Sequence, residues 1–167
     1  VETVTTTSTE QSTSYPATIK GKQDIEIRPK VSGFITKLCV DEGSMVRKGQ
    51  TLFLIDRVQY EAQVKSARAA VNVAKAALNT QKLTVENKTE LNKKQIISDY
   101  DLQMARNTLA SCEAQLAQAK ATLLNAQEQL SYCTVVSPSD GVVGEIPYRV
   151  GSLVSSSTAT PLTTVSN

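Results

Sequence analysis

The chain has 167 residues, of which 20% are charged and 4% aromatic, with a formal net charge of +2 and no histidine or tryptophan. So small a charge attracts nucleic acid weakly, and so few aromatic residues provide no stacking platform for bases. The lack of histidine excludes most hydrolytic triads and histidine-based zinc sites. No apolar run approaches the roughly 18 residues of a membrane span. Because the sequence has no initial Met and no signal peptide, we interpret it as a segment of a longer protein.

Residues 1–20 are rich in Thr and Ser, with only a few apolar residues between them. Threonine favours strands, but the stretch is too short to form a stable sheet alone. We therefore expect residues 1–20 to contribute one or two strands to an incomplete, adjacent β-barrel domain.

Residues 21–56 have the pattern of short β-strands. Ile25 and Ile27 alternate with polar residues, and residues 34–40 and 51–55 form two further apolar runs between glycine-containing turns. Strands this short and this closely spaced predict a small, tightly turned barrel or sandwich.

After Asp56, which we expect to cap a helix, the apolar period changes from two to about 3.5 residues. Large apolar residues then recur every seventh position, with small residues between them, first over residues 64–85 and again over residues 102–130. This is the a/d pattern of a coiled coil, and it predicts two long helices that pack against each other. The large residues of the predicted seam are Val64, Val71, Leu78, Val85, Leu102, Leu109, Leu116, Leu123 and Leu130.

The two helices predict an antiparallel hairpin over residues 57–132, about 50 Å long, with its tip near residues 92–98. Ser98 followed by Asp101 indicates a capping box at the start of the second helix. Near the tip the small-residue row becomes polar at Gln81 and Lys88, so we expect the seam to loosen there.

The β pattern resumes after the hairpin and repeats the earlier one. A shift of 108 residues aligns Gly33 with Gly141 and Gly43 with Gly151, and the apolar positions between these glycines also coincide. A repeated G-x9-G-S-x-V frame predicts two halves of one pseudo-symmetric β module. We therefore predict an α+β fold in which residues 21–56 and 133–165 form the module and the hairpin interrupts it.

The sequence offers no candidate catalytic, cofactor or metal site. The paired carboxylates, such as Asp41 with Glu42, lie in turns or helix caps, where solvation or capping is their usual role. Cys39, Cys112 and Cys133 lack CxxC spacing, and Cys112 falls on the small row of the seam, which favours a packed thiol. A Cys39–Cys133 disulfide remains open.

Five short motifs in a fixed order resemble the periplasmic membrane fusion (adaptor) proteins of tripartite multidrug efflux pumps, in particular those of the resistance-nodulation-division (RND) branch. The resemblance covers residues 20–165 and implies a lipoyl- or biotinyl-like barrel-sandwich module split by an α-helical hairpin. The motifs are Val31-Ser32-Gly33-Phe34-Ile35, Asp41-Glu42-Gly43, Val46-Arg47-Lys48-Gly49-Gln50-Thr51-Leu52, Ile55-Asp56 and Ser137-Pro138-Ser139-Asp140-Gly141.

Membership of this family would imply a non-catalytic adaptor in the periplasm of a Gram-negative bacterium. Such an adaptor links an inner-membrane RND transporter to an outer-membrane channel and assembles into a ring. It associates with the inner membrane, and a lipid anchor would lie before the first residue of this sequence. No cofactor and no nucleic acid are implied.

The family's hairpin tip carries an Arg-x3-Leu-x6-Ser pattern that docks onto the outer-membrane channel. Leu91 and Ser98 fit this spacing, whereas Asn87 occupies the Arg position and Lys88 points about 100° around the helix. The resemblance therefore implies docking through Asn87, Leu91 and Ser98. Ser98 serves equally well as a helix cap, and the two roles are compatible.

Two alternatives remain open. An adaptor of a type I secretion system or of another ABC or major-facilitator exporter uses the same parts. A biotin or lipoate carrier shares the half-repeat fold, but it requires an exposed lysine in a short turn between the halves. Here residues 57–132 fill that junction, and the tip sequence Asn92-Lys93-Lys94-Gln95 does not resemble an attachment site.

Overall fold

The structure, a computed structural model, describes Val4, residues 8–18 and residues 22–167. Within these ranges the chain forms eight strands and two long helices. In chain order the elements are β1 (Asp24–Ile27), β2 (Gly33–Leu38), β3 (Met45–Val46), β4 (Thr51–Ile55), α1 (Val58–Lys93), α2 (Asp99–Ser131), β5 (Thr134–Val136), β6 (Gly141–Val143), β7 (Leu153–Val154) and β8 (Thr163–Ser166).

The described part of the N-terminal segment, Val4 and residues 8–18, is exposed and has no regular secondary structure. The strand or strands expected within residues 1–20 are therefore not formed there. A strand requires a neighbour to satisfy its backbone groups, and no other part of the described chain pairs with this segment. The remaining residues of the range lie outside the described ones, and the assignment to an adjacent domain stays a prediction.

The eight strands form two four-stranded antiparallel sheets, in the orders β1-β8-β6-β3 and β5-β4-β2-β7. In the repeat, β1 corresponds to β5, β2 to β6, β3 to β7 and β4 to β8. When each strand of the first sheet is replaced by its counterpart, the strand order of the second sheet results. Each sheet therefore takes two strands from each half, and the module has an internal pseudo-two-fold axis. The predicted fold class, a barrel-sandwich of two halves interrupted by a helical hairpin, is confirmed.

The repeat extends to individual backbone hydrogen bonds. The amide of Ile35 donates to the carbonyl of Ser152 at 3.0 Å, and the amide of Val143 donates to the carbonyl of Ser44 at 2.9 Å. The shift of 108 residues found in the sequence relates Ile35 to Val143 and Ser44 to Ser152. The core lies between the two sheets and contains Ile27, Val31, Ile35, Val40, Val46, Leu52, Phe53, Ile55, Cys133, Val135, Val143, Ile146, Val154, Leu162 and Val165.

The hairpin leaves the barrel from β4 and returns to β5, which are adjacent strands of one sheet. The N-cap of α1 is Arg57, one residue later than the predicted Asp56, because the Asp56 amide is bound to the Phe34 carbonyl at 2.8 Å and remains with the barrel. The Asp56 carboxylate nevertheless accepts a hydrogen bond from the Val58 amide at 3.1 Å, so it still satisfies one free N–H of the first turn.

Neither α1 nor α2 is apolar enough along an 18-residue window to cross a membrane.

Candidate functional site: the hairpin, its tip and its base

The seam between α1 and α2 is formed by the two heptad rows, while most of the remaining helix surface is exposed. Large residues of one row lie beside alanines of the other, which allows the two backbones to approach closely. Near the barrel, Val64, Ala67 and Ala126 form a buried cluster against Leu123 and Leu130. Of the nine large seam residues, three are buried (Val64, Leu78 and Leu102) and six are half-buried (Val71, Val85, Leu109, Leu116, Leu123 and Leu130).

Toward the tip, hydrogen bonds replace part of the apolar packing. The Gln81 side chain donates from Nε2 to the Ala105 carbonyl on the opposite helix at 3.0 Å. Thr89 lies half-buried and donates from Oγ1 to the Val85 carbonyl of its own helix at 2.7 Å. Lys88 is also half-buried here. The tip half of the hairpin therefore has a more polar seam than the half near the barrel.

The tip itself is a short, hydrogen-bonded reversal. Gln95 has a left-handed backbone, with φ of 58°, which turns the chain between the helices. The Asn92 side chain donates to the Ile97 carbonyl at 3.3 Å and to Asp99 Oδ1 at 2.9 Å. Ser98 is the N-cap of α2, and its hydroxyl accepts a hydrogen bond from the Asp101 amide at 3.2 Å. These contacts fix the start of the second helix relative to the end of the first.

The three residues expected to dock onto a channel lie close to the tip but differ in accessibility. Asn87 and Ser98 are exposed, whereas Leu91 is half-buried. The Ser98 hydroxyl is already used by the cap, so it offers only its remaining hydrogen-bonding capacity to a partner.

Sequence reasoning missed three exposed apolar residues at the tip. Ile96, Tyr100 and Met104 are 64%, 71% and 50% exposed and follow one another at four-residue intervals. Tyr100 and Met104 lie on the same face of α2, because residues at i and i+4 of a helix are neighbours, while Ile96 lies in the turn before it; none of the three belongs to the seam. Their spacing outside the heptad rows was the signal in the sequence that could have revealed them.

At its base the hairpin contacts the barrel through two tyrosines. The Tyr60 hydroxyl donates to the Ser32 carbonyl at 2.6 Å, and the Tyr132 ring lies 4.7 Å from Lys30 Nζ. Burial raises the pKa of Tyr60 above its ordinary value of 10.0, and the neighbouring Cys133 adds to the increase. The phenol therefore stays protonated, and stays a donor, at neutral pH.

The three cysteines are free: Cys39 is exposed, Cys112 is half-buried in the seam and Cys133 is buried. The Cys39–Cys133 disulfide left open by the sequence is not formed. The Cys133 sulfur lies 3.9 Å from the Asp56 carbonyl oxygen and 3.8 Å from that of Gln129, at the junction of barrel and hairpin. Burial raises its pKa, partly offset by Arg57.

Among the residues that the structure describes, no three His, Cys, Asp or Glu side chains gather into a possible metal site. At the tip Lys93 is the last residue of α1, and its amine bonds to Glu90 at 3.2 Å. A lysine in the last turn of a long helix differs from the short-turn lysine that a biotin or lipoate carrier requires.

A barrel-sandwich divided by a long helical hairpin defines the class of membrane fusion adaptors, in which the hairpin projects away from a compact β module. Comparison with known families agrees with this class. Residues 23–166 match the family described as the barrel-sandwich hybrid domain of RND membrane fusion proteins. The chain belongs to this family.

Two known proteins are similar to most of this chain. The chain is 35% identical over 140 residues to the multidrug resistance protein MdtE of Escherichia coli K12, a match that covers 84% of this chain and 36% of MdtE. It is 34% identical over 165 residues to the multidrug efflux pump subunit AcrA of the same strain, which covers 99% of this chain and 42% of AcrA. The chain thus spans less than half the length of these relatives.

Among solved structures, MacA from Actinobacillus actinomycetemcomitans is 27% identical and superposes with a TM-score of 0.68. The match covers 87% of this chain and 49% of that structure.

Proposed function

We propose that this protein is the periplasmic adaptor of an RND-type tripartite drug efflux pump in a Gram-negative bacterium. In this proposal it joins an inner-membrane RND transporter to an outer-membrane channel. The observation that carries the proposal is the long hairpin inserted between the halves of a barrel of the RND adaptor family. With 36 residues in α1, the hairpin reaches about 50 Å from the barrel, far enough to hold two partners apart.

The role proposed for the chain is geometric rather than catalytic. A rigid rod with a fixed base transmits position, and its action requires no cofactor. Several copies would assemble into a closed ring, with the hairpins side by side. The exposed sides of the helices are largely polar or alanine, which is compatible with lateral packing of one hairpin against the next.

The tip is the proposed contact with the channel. Leu91 and Ser98 fit the family's pattern, Asn87 stands at the position of its Arg, and the exposed apolar residues Tyr100 and Met104 lie on the first turns of α2. An apolar group on an otherwise polar helix surface is suited to burial by a partner.

The larger organisation is also part of the proposal. Residues 21–56 and 133–165 would form the barrel module and residues 57–132 the hairpin. Residues 1–20 would lead into an adjacent domain, and a lipid anchor at the N-terminus of the mature protein would attach it to the inner membrane.

The test uses cells that carry the full-length protein with Leu91→Asp together with Ser98→Arg. We expect these cells to become hypersensitive to antibiotics and detergents, because a charge at the tip disfavours burial against the channel. Leu124→Asp is the control for a charge placed away from the tip, since Leu124 is 61% exposed and lies on α2 near the barrel. The protein level is measured by immunoblot for each variant.

Hypersensitivity at normal abundance, with Leu124→Asp behaving like the parent, would support the tip assignment. Unchanged resistance in a strain that is sensitised by deletion of the whole gene would contradict docking through these residues. If deletion itself has no effect, the efflux role fails and the type I secretion or other exporter alternative gains support. An intact-mass measurement tests the carrier alternative, because an attached biotin or lipoate adds a fixed increment.

A further inference from the structure

The charged residues in the middle of the hairpin all lie on one side of the rod. In heptad notation, with the large and small seam residues at a and d, every charged residue within 65–82 of α1 and 103–120 of α2 falls on an e or b position. These e and b positions are called the basic flank from here on. Its one carboxylate is Glu113, and its cations are Lys65, Arg68, Lys75, Lys82, Arg106 and Lys120.

The opposite side of the rod is uncharged. A shallow groove between the helices near the barrel is lined by Gln63 and Ala70 of α1 and by Thr122 and Gln129 of α2, among others. These four are g positions, so the g rows of both helices border one side of the seam and the e rows border the other. The c and g positions of residues 59–87 and 104–129 include no Asp, Glu, Lys or Arg. The two flanks of the rod therefore differ sharply in charge.

The cations of the basic flank are not neutralised within the chain. All six are exposed, and within the hairpin, which the structure describes throughout, none lies within 4.0 Å of a carboxylate oxygen. Six cations and one carboxylate give the flank a formal charge of +5, whereas the whole chain has +2. Charge concentrated in this way creates a positive local potential that attracts anions.

Acidic residues mark both ends of the basic flank. Toward the barrel, Glu61 pairs with Arg57 at 3.1 Å, and toward the tip lie Glu86 and Asp99. The positive surface is therefore confined to the middle of the rod. It lies apart from the barrel and from the residues at the tip that are proposed to contact a channel.

The cations form two rows along the rod. Arg68, Lys75 and Lys82 follow one another at seven-residue intervals, which places them about 10 Å apart over roughly 20 Å of α1. Arg106 and Lys120 form the second row, on α2. A small anion reaches only one or two of these side chains. A linear anionic polymer that lies lengthwise along the rod reaches both rows.

The neutral residues of the flank indicate which kind of polyanion fits. The flank has no aromatic residue on which a nucleic acid base could stack. Among the described residues, no exposed large apolar side chain belongs to it, so a protein partner would find no apolar anchor. Asn72, Asn79 and Gln103 are exposed instead, and their amides donate and accept hydrogen bonds as sugar hydroxyls do.

We propose that the basic flank binds a linear acidic polysaccharide, with carboxylates spaced along an extended chain. The polymer lies along the rod and gives the protein a lateral attachment, in addition to whatever its two ends contact. Binding releases counterions condensed on the polymer, so the affinity falls as salt rises. This inference goes beyond the proposed function and does not depend on it, because it rests on the hairpin alone.

Fluorescence anisotropy with end-labelled oligogalacturonate, which carries one carboxylate per sugar, tests the proposal on the whole chain. We expect the parent to bind, with an affinity that falls steeply between about 50 and 200 mM salt. The triple variant Lys75→Gln, Lys82→Gln, Arg106→Gln should bind at least about tenfold more weakly at the lower salt concentration, with a smaller salt dependence. Glutamine keeps the helix propensity of the residues that it replaces.

The matched control Lys37→Gln, Arg47→Gln, Lys48→Gln removes the same number of cations from exposed positions of the barrel. It should keep the parent affinity within about twofold, because these side chains lie outside the flank. Thermal unfolding followed by circular dichroism establishes that both variants are folded. Equal affinity of the parent and the folded flank variant overturns the proposal, and so do equal losses in both variants. Tighter binding of polyglutamate or single-stranded DNA of matched length overturns the choice of a polysaccharide.

Discussion

Gly43 and Gly151 occupy equivalent left-handed turns in the two halves of the barrel, with φ of 78° and 90°. The Gly43 amide donates to the Val143 carbonyl at 2.8 Å, and the Gly151 amide donates to the Ile35 carbonyl at 2.7 Å. A Cβ at either glycine would meet no atom within 4 Å. Glycine is required at both positions by backbone conformation and not by space.

Replacing either glycine by alanine should therefore lower the free energy of unfolding by the same amount. We expect Gly43→Ala and Gly151→Ala each to lower the free energy of unfolding by about 1–2 kcal/mol, the penalty of a left-handed non-glycine residue. Urea denaturation of the barrel measures it. Asparagine tolerates this conformation better, so Gly43→Asn should lose less. A loss from Gly43→Asn as large as that from alanine would contradict a conformational cause.

The seam predicts a strong effect of charge at its centre. Leu116→Asp places a carboxylate in the half-buried interface between the helices and should destabilise the hairpin by at least about 2 kcal/mol. Gln115→Asp, one residue earlier on the exposed surface, is the matched control. Thermal unfolding followed by far-UV circular dichroism reports on the helices. If Leu116→Asp melts with the control, Leu116 does not belong to the seam.

Capping and docking by Ser98 can be separated. Ser98→Ala removes the acceptor for the Asp101 amide and should cost about 1 kcal/mol of stability. Ser98→Asp restores an acceptor and places a negative charge at the favourable end of the helix dipole, so its stability should stay near that of the parent. Urea denaturation compares the two. Equal losses would mean that the loss in Ser98→Ala does not come from the missing acceptor, whereas a stable Ser98→Asp variant with impaired efflux would assign a docking role.

The three thiols should react with iodoacetamide in order of exposure. Cys39 is exposed and should react first, Cys112 more slowly, and Cys133 only when the junction of barrel and hairpin opens. Burial also raises the pKa of Cys133 above its ordinary value of 9.0, so at pH 8 it carries less of the reactive thiolate than an unperturbed thiol. Peptide mass mapping over time measures each rate. Labelling of Cys133 as fast as Cys39 in the folded protein would contradict the described junction.

The parts of the fold that were predictable from the sequence are those with a local or repeated pattern. The heptad rows of α1 and α2 identify the seam because an apolar stripe must be buried by a second helix. The glycine frame identifies the halves because Gly43 and Gly151 need a backbone that other residues rarely adopt. The hydroxyl of Ser98 caps α2 as its sequence context predicts.

Other features depend on contacts between distant segments. The last strands of the two halves correspond with a shift of 110 rather than 108, since Leu52 and Ile55 match Leu162 and Val165, so the glycine frame could not locate β8. The contact of Tyr60 with Ser32 arises only in three dimensions, and so do the contact of Lys30 with Tyr132 and the sharing of strands between the sheets. The apolar tip residues Tyr100 and Met104 are individually unremarkable in the sequence, and their exposure was decided by which face of α2 meets α1.

The sharing of strands between the halves has a consequence for biosynthesis. Asp24 pairs with Ser166, 142 positions later, and β2 pairs with β7, so neither sheet is complete until strands of the second half have left the ribosome. The hairpin is one continuous stretch with local contacts, and local contacts form early. We therefore expect stalled nascent chains ending at Ser131 to show, in hydrogen exchange, protected helical amides but no protected amides in β1 or β3, whose partners β8 and β6 are not yet made. During synthesis β1 and β3 would wait unpaired beside a finished rod, and this is the stage at which the chain would depend most on a chaperone.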